Sequence, residues 1–109
     1  MKNKDFQIVY KKGISYANKY LVMYVLKNKE EENRLGISVS KKVGNSIVRH
    51  RITRLIRESY RLNKNKFQLG HYIVVIERSN AKEKKYNEIE SALLHLGKLH
   101  NIIDDLSEN

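Results

Sequence analysis

The chain of 109 residues contains no cysteine, no proline and no tryptophan, and it has only five glycines. The lack of cysteine excludes disulfide bonds and thiolate metal sites, and it agrees with a reducing intracellular compartment. The lack of proline and of low-complexity stretches leaves no segment with the composition of a linker. A chain of this length buries one core, so we expect a single domain over residues 1–109.

Long apolar runs are also missing. The longest, YLVMYVL at residues 20–26, is far too short to cross a bilayer, and the first residues, MKNKDFQ, lack the apolar core of a signal peptide. We therefore expect a soluble, cytoplasmic protein without a membrane partner.

Acidic residues are almost absent from the middle of the chain. Residues 34–76 hold ten lysines and arginines but one acid, Glu58, whereas the other 66 residues hold twelve bases and eleven acids. The formal net charge of +10 at pH 7 is therefore concentrated in one segment. A localised basic field is typical of proteins that bind nucleic acid or an anionic surface.

The hydrophobic pattern predicts an α+β fold with the order α-β-β-β-α-β-α. Helical spacing occurs over residues 3–12, 46–62 and 86–103, and Gly97 predicts an end or a weak point in the last helix. Two or three strands are expected within residues 14–28 and 34–40, and HYIVVIER at 71–78 reads as an inner strand. Such elements make a sandwich of helices packed on a small sheet.

Small side chains share one face of the strand at 34–40. Gly36, Ser38 and Ser40 alternate there with Leu35, Ile37 and Val39. We expect this face to be open enough for a ligand to approach the backbone.

The segment VRHRITRLIRESYR, residues 48–61, carries five of the seven arginines. On the predicted helix over residues 46–62, one buried face is expected, which consists of Val48, Ile52, Leu55, Ile56, Ser59 and Leu62. The opposite stripe consists of His50, Arg54, Arg57 and Arg61, flanked by Arg49 and Arg51 and preceded by Lys41 and Lys42. Solvated helix faces normally mix charges of both signs, so a stripe with one acid indicates binding of phosphates, which arginine contacts in bidentate fashion.

These residues resemble a known family. The stretch RLGISVSKKVGNSIVRHRITRLIRESYR is similar to the signature of the bacterial ribonuclease P protein subunit, a strand followed by K-K-x-G-x-A-V-x-R-N-R-x-K-R and a helix. The resemblance continues through NKDFQIVYKKG before it and YIVVIER after it. It implies a four-stranded, mainly antiparallel sheet with helices, and an unusual left-handed crossover from the third strand through the arginine helix to the fourth.

The resemblance also implies a function. In that family the protein assists a catalytic RNA, whose Mg²⁺-dependent hydrolysis removes the 5′ leader of precursor tRNA, so no catalytic or metal-binding residue is expected in this chain. The residues expected to contact the catalytic RNA are Lys41, Lys42, Asn45, Arg49, His50, Arg51, Arg54, Arg57 and Arg61. Those expected to line a cleft for the single-stranded leader are Phe6, Tyr10, Tyr24 and Ser38. Aromatic faces beside a basic groove suit single strands.

Three features depart from the family pattern. His50 stands where the family usually has asparagine, which replaces an amide by an imidazole that can donate, stack or become protonated. Thr53 replaces a usual lysine, and the basic, leucine-containing lead-in before the first helix is missing.

Two other classes of function stay open on the sequence alone. A ribosome-associated or other RNA-binding module would share the charge and the aromatic residues. A DNA regulator could also use an arginine helix, but no partner helix joined by a short turn precedes VRHRITRLIRESYR, so we expect no DNA partner.

Overall fold

The structure, a computed structural model, describes residues 1–104. In chain order its elements are α1 (Asn3–Lys12), β1 (Ile14–Ala17), β2 (Leu21–Lys27), β3 (Arg34–Ser38), α2 (Ser46–Asn63), β4 (His71–Glu77) and α3 (Tyr86–Leu99). Short 3₁₀ turns at Lys64–Lys66 and Ser79–Ala81 flank β4. The predicted order α-β-β-β-α-β-α is confirmed. Over residues 1–104, no helix has both the length and the apolar character needed to cross a membrane.

The four strands form one sheet in the order β1-β2-β4-β3. The pairs β1–β2 and β2–β4 are antiparallel, whereas β3 and β4 are parallel, so the sheet is mixed and mainly antiparallel, as expected. Parallel neighbours require a long crossover connection, and here α2 lies in it. The left hand of that crossover stays a prediction. Because β4 is an inner strand, both of its faces are covered, which accounts for its near-continuous apolar sequence.

Helices cover both faces of the sheet. On one face α2 and α3 pack against each other and against the strands. The main core lies there and includes Met23, Ile52, Ile56, Ile73, Val75, Leu93 and Leu96. On the other face α1 packs across β2 and β4. Val9 of α1 and Val74 of β4 are fully buried but lie outside the main core, so α1 has a smaller core of its own.

The buried face of α2 agrees with the prediction except at its end. Ile52, Ile56 and Ser59 are fully buried, but Leu62 is 57% exposed and Asn63 is buried in its place. Both positions follow Ser59 at helical spacing, so the sequence pattern could not separate them. The contact with α3 decides between them, because the Asn63 amide donates to the carbonyl oxygen of Ser59 at 2.7 Å and to Glu90 Oε2 at 2.8 Å.

The expectation of an end or weak point at Gly97 is wrong. The last helix continues to Leu99, and Gly97 is buried within it. A Cβ at Gly97 would lie 2.8 Å from Cγ1 of Ile103 and 3.0 Å from the ring of Phe67. The glycine is therefore required by close packing of the chain that follows α3, and it does not mark the end of the helix.

One ionisable side chain is buried on the main-core face without a partner. Glu77, the last residue of β4, is 4% exposed, and neither carboxylate oxygen has a hydrogen-bond partner within residues 1–104. Burial disfavours the charged form more than the nearby Arg51 favours it, which raises the pKa of Glu77 from 4.5 to about 7. Since the folded state holds the proton more tightly than the unfolded state, this group favours folding below pH 4.5, and that contribution is lost as the pH rises through about 7.

Gly97→Ala tests the packing argument. In an open helix this change stabilises by about 1 kcal/mol. Here we expect the clash with Ile103 and Phe67 to outweigh that gain and lower the free energy of unfolding by about 1 kcal/mol. Denaturant unfolding measures the difference, with Ser91→Ala on the exposed face of α3 as the control. An increase in stability for Gly97→Ala would contradict the close packing.

Glu77→Gln tests the cost of the buried carboxylate. The variant mimics the protonated side chain, so we expect it to match the unchanged protein at pH 5 and to be more stable by about 1–3 kcal/mol at pH 8. Burial lowers the pKa of His100, which destabilises the fold in acid, but this effect is common to both proteins and cancels in the difference. Thermal or denaturant unfolding from pH 5 to 8 gives the comparison. A less stable variant at pH 8 would mean that Arg51 holds the carboxylate as an anion.

Candidate RNA interface

The predicted basic stripe lies on the exposed side of α2. His50, Arg54, Arg57 and Arg61 are all exposed, opposite the buried Ile52 and Ile56. Within residues 1–104, the side chains of His50, Arg54 and Arg57 make no hydrogen bond or ion pair. Their donors therefore remain available for an anionic partner.

The one acid of α2 is engaged by the last arginine of the stripe. Arg61 Nε donates to Glu58 Oε1 at 2.5 Å, and this bond lowers the pKa of the Glu58 carboxyl and raises that of the Arg61 guanidinium. Both side chains are exposed, so the pair contributes little to stability. Its effect is to leave Arg54 and Arg57 without a competing carboxylate.

Arg57 lines two grooves of different volume. One, with a volume of about 510 Å³, is lined by Arg51, Arg54, Leu55, Arg57, Glu58 and Arg61. The other, of about 340 Å³, is lined by Ser46, Arg49, His50, Thr53 and Arg57. Basic side chains on the walls of open grooves suit a polyanion that lies along the helix.

Three predicted RNA contacts have positions that the helical pattern did not anticipate. Asn45 caps α2, because its Oδ1 accepts a hydrogen bond from the backbone N–H of Val48 at 3.1 Å. Arg49 is half-buried, and its Nε is buried without a partner in the described chain. Arg51 is exposed, but its guanidinium is engaged within the protein, where it donates to backbone oxygens of the loop before α3.

Lys41 and Lys42 occupy the turn between β3 and α2. Ser40 organises this turn, since its Oγ accepts from the N–H of Lys42 at 3.1 Å and its carbonyl oxygen accepts from the N–H of Val43 at 3.0 Å. Val43 is buried, whereas both lysines are exposed. The turn therefore extends the basic surface from the start of α2 toward β3.

The three predicted aromatic residues form one connected cluster on the α1 side of the sheet. The ring centroids of Phe6 and Tyr10 are 6.2 Å apart, and those of Tyr10 and Tyr24 are 5.1 Å apart in an edge-to-face arrangement. Tyr10 is 40% exposed and Tyr24 is half-buried, so parts of both rings face solvent. Such rings offer stacking surfaces for unpaired bases.

The expectation that Gly36 lies on an open face is wrong. An ideal Cβ at Gly36 would lie 2.6 Å from Cζ of Phe6 and 2.9 Å from the sulfur of Met1, so these side chains rest on the backbone of β3. The glycine allows the ring of Phe6 to pack closely, and Gly36 is buried as a result. The open part of this face begins two residues later, at Ser38, which is half-buried.

Sequence reasoning missed two residues, Val22 and Ile76, that lie beside Ser38 on the α1 side of the sheet. Ser38 pairs with Ile76 of β4, and Ile76 pairs with Val22 of β2, so the three lie in one row across the sheet. All three are half-buried. The apolar character of Val22 and Ile76 was visible in the sequence, but only the strand register shows that they lie beside Ser38.

The structure bears on one of the two functions left open by the sequence, that of a DNA regulator. The turn before α2 follows β3, so the residues described do not form a helix-turn-helix DNA-binding motif around α2. In residues 1–104, no three histidine or acidic side chains come together in a way that could hold a metal ion.

Comparisons with known proteins agree with this geometry. A family model described as ribonuclease P matches residues 1–100. The ribonuclease P protein component of Lachnoclostridium phytofermentans is 64% identical over 101 residues, which are 93% of this chain and 87% of that protein. The same component of Alkaliphilus metalliredigens is 60% identical over 95 residues, which are 87% of this chain and 86% of that protein.

Solved structures give the same result for the fold. The ribonuclease P protein of Staphylococcus aureus matches with a TM-score of 0.88 at 43% identity, covering 95% of both chains. That of Thermotoga maritima matches with a TM-score of 0.84 at 32% identity, covering 90% of this chain and 94% of the other. These coverages leave no large part of either fold unmatched.

Proposed function

We propose, because the chain belongs to the ribonuclease P protein component family, that it binds the catalytic RNA through α2. We further propose that it binds the 5′ leader of precursor tRNA in a cleft lined by Phe6, Tyr10, Tyr24 and Ser38, called the aromatic cleft below. Membership makes it a component of an endoribonuclease that acts in tRNA processing and has an RNA partner. In this proposal hydrolysis takes place on the RNA. The chain acts in the cytoplasm as a single RNA-binding domain over residues 1–109.

The observation that carries the proposal is the set of unengaged cations on α2. His50, Arg54 and Arg57 have no partner in residues 1–104, and the nearest acid on their helix is engaged by Arg61. Guanidinium groups bind phosphate oxygens through two parallel hydrogen bonds. Two such groups three residues apart, with an imidazole one turn before them, therefore match the backbone of a structured RNA.

The cleft supports the second half of the proposal. A leader is single-stranded, so its bases are free to stack, and each stacked base contributes about 1–3 kcal/mol. The exposed parts of Tyr10 and Tyr24 provide the stacking surfaces, and Ser38 provides a hydroxyl on the floor. Mature tRNA lacks the leader, so occupation of this cleft favours precursor over product.

We assign Mg²⁺ mainly to the RNA. The proposed interface presents guanidinium and ammonium groups, which repel a divalent cation, whereas phosphate oxygens are its preferred ligands. Bound to the RNA, Mg²⁺ would supply an activated water and would stabilise the charge that develops in the displacement. The part of this chain is to bind and orient the two RNAs, and its positive charge reduces the repulsion between them.

Reconstitution with a bacterial ribonuclease P RNA tests the function. At low Mg²⁺ we expect the protein to stimulate 5′-leader cleavage and to raise affinity for precursor over mature tRNA, because it contacts the leader and screens phosphate repulsion. Cleavage assays and binding assays with both tRNA forms measure these effects.

Absence of stimulation by folded protein would refute the assignment. A ribosome-associated role would be favoured if the protein instead copurified with ribosomes and not with the catalytic RNA. The Tyr10→Phe variant is a control for leader binding. It keeps the ring that would stack on a base, so it should bind precursor tRNA as the unchanged protein does.

Arg54→Ala combined with Arg57→Ala tests the proposed RNA surface. Each phosphate contact contributes roughly 0.7–0.9 to the slope of log affinity against log salt, so we expect the slope to fall by about 1–2 and binding to weaken. Both side chains are exposed and make no internal bond in the described chain, so the fold should keep its stability. Filter binding over a range of salt concentrations gives the slope.

A variant with Lys27→Ala and Lys29→Ala is the matched control for this test. It removes the same charge from two exposed positions, the last residue of β2 and the turn that follows it. An unchanged salt slope in the arginine variant would show that Arg54 and Arg57 do not contact RNA.

A further inference from the structure

A second basic segment lies outside the region that carries the stripe. Residues 78–85, RSNAKEKK, which we call the basic loop, hold four bases and one acid. Residues 34–76 have a balance of +9 and the basic loop +3, whereas the remaining 58 residues hold eight bases and ten acids. These two segments therefore account for the whole net positive charge of the protein. The basic loop lies outside α2, so the helical pattern that predicted the stripe does not include it.

Arg51 joins the basic loop to α2. Its Nη2 donates to the backbone oxygen of Lys84 at 2.9 Å, and its Nη1 lies 3.4 Å from that of Lys82. A guanidinium that donates to two carbonyl oxygens of one loop restricts the position of that loop. The bonds place the basic loop directly beside the groove that Arg51, Arg54 and Arg57 line.

The start of the basic loop is held by the β1–β2 turn. The N–H of Arg78 donates to the carbonyl oxygen of Tyr20 at 2.9 Å, and Arg78 Nη1 donates to that of Asn18 at 3.0 Å. Glu77, the residue just before the loop, is buried. The basic loop is therefore held at its start by the β1–β2 turn and near its end by Arg51.

The exposed charged side chains of the basic loop are mainly cationic, with Glu83 as the single exposed acid among them. Lys82 and Lys85 are exposed, and within residues 1–104 neither ammonium group is in ion-pair distance of a carboxylate. Lys84 differs, because it lies 3.7 Å from Glu88 and over the ring of Tyr20. None of the large exposed hydrophobic side chains belongs to this loop, so an apolar protein surface would find nothing to bury.

We propose that the basic loop is a second surface for RNA phosphates, continuous with the stripe on α2, and that Arg51 is a positioning residue which holds this surface in place. The proposal rests on the proposed binding of structured RNA by α2. Lys82 and Lys85 provide the phosphate contacts. Arg51 holds the backbone of the basic loop and does not itself contact an RNA phosphate.

The first experiment compares three double variants in binding to a bacterial ribonuclease P RNA over a range of salt concentrations. We expect Lys82→Ala with Lys85→Ala to weaken binding about tenfold and to lower the salt slope by about 1–2, as two lost phosphate contacts require. The control, Lys27→Ala with Lys29→Ala, should change affinity less than twofold. The third variant is Arg54→Ala with Arg57→Ala.

The pattern of losses separates the inference from the proposed function. If the loop variant behaves like the lysine control while the arginine variant is weakened, the basic loop is not an RNA surface and the proposed function stands. If the unchanged protein does not bind the RNA at all, the proposed function fails.

The second experiment tests the role of Arg51. Arg51→Ala should accelerate amide hydrogen exchange in residues 82–85 and weaken RNA binding, but it should add little to the Lys82→Ala, Lys85→Ala variant, because both act through the basic loop. Additive losses would show that Arg51 contacts RNA itself and would overturn its positioning role. Arg51→Lys, which keeps the charge and one donor group, replaces Arg51→Ala in the same cycle if the alanine variant does not fold.

Discussion

Burial of one face of α2 is the constraint on which the other features of this protein depend. Like charges three or four residues apart destabilise a helix by roughly 0.2–0.5 kcal/mol per pair, and a sequence with five arginines in fourteen residues has several such pairs. Burying one isoleucine side chain contributes about 1.5–3 kcal/mol, so Ile52 and Ile56 together outweigh this repulsion. The basic stripe can form because the opposite face of α2 packs against the sheet and α3.

The position of β4 in the sheet determines where α2 can lie. The chain leaves β3 at the sheet edge, passes through α2 and returns to pair β4 in parallel with β3, and β4 then separates β3 from β2. The crossover places the start of α2 next to the end of β3, which is the half-buried Ser38. The turn that carries Lys41 and Lys42 therefore lies between the proposed RNA surface of α2 and the residues proposed to bind the leader.

The sequence predicted the elements well because their signals are local. Helical spacing located α2 at residues 46–62, one residue short of its end, and the apolar run of β4 identified it as an inner strand. The errors occur where a distant residue decides the outcome. Gly36 is covered by Phe6, Gly97 is packed by Ile103, and Asn63 replaces Leu62 because Glu90 faces it. No local pattern contains these partners.

The same distinction applies to the arginines of the candidate site. The helical pattern does not distinguish these arginines from one another. The structure does, because they differ in the hydrogen-bond acceptors that lie within reach. Arg51 meets carbonyl oxygens of the basic loop, and Arg61 meets Glu58. Arg54 and Arg57 meet no acceptor in the described chain. The number of arginines therefore overstates the phosphate contacts that α2 can make, and the basic loop supplies charge that the helix alone does not.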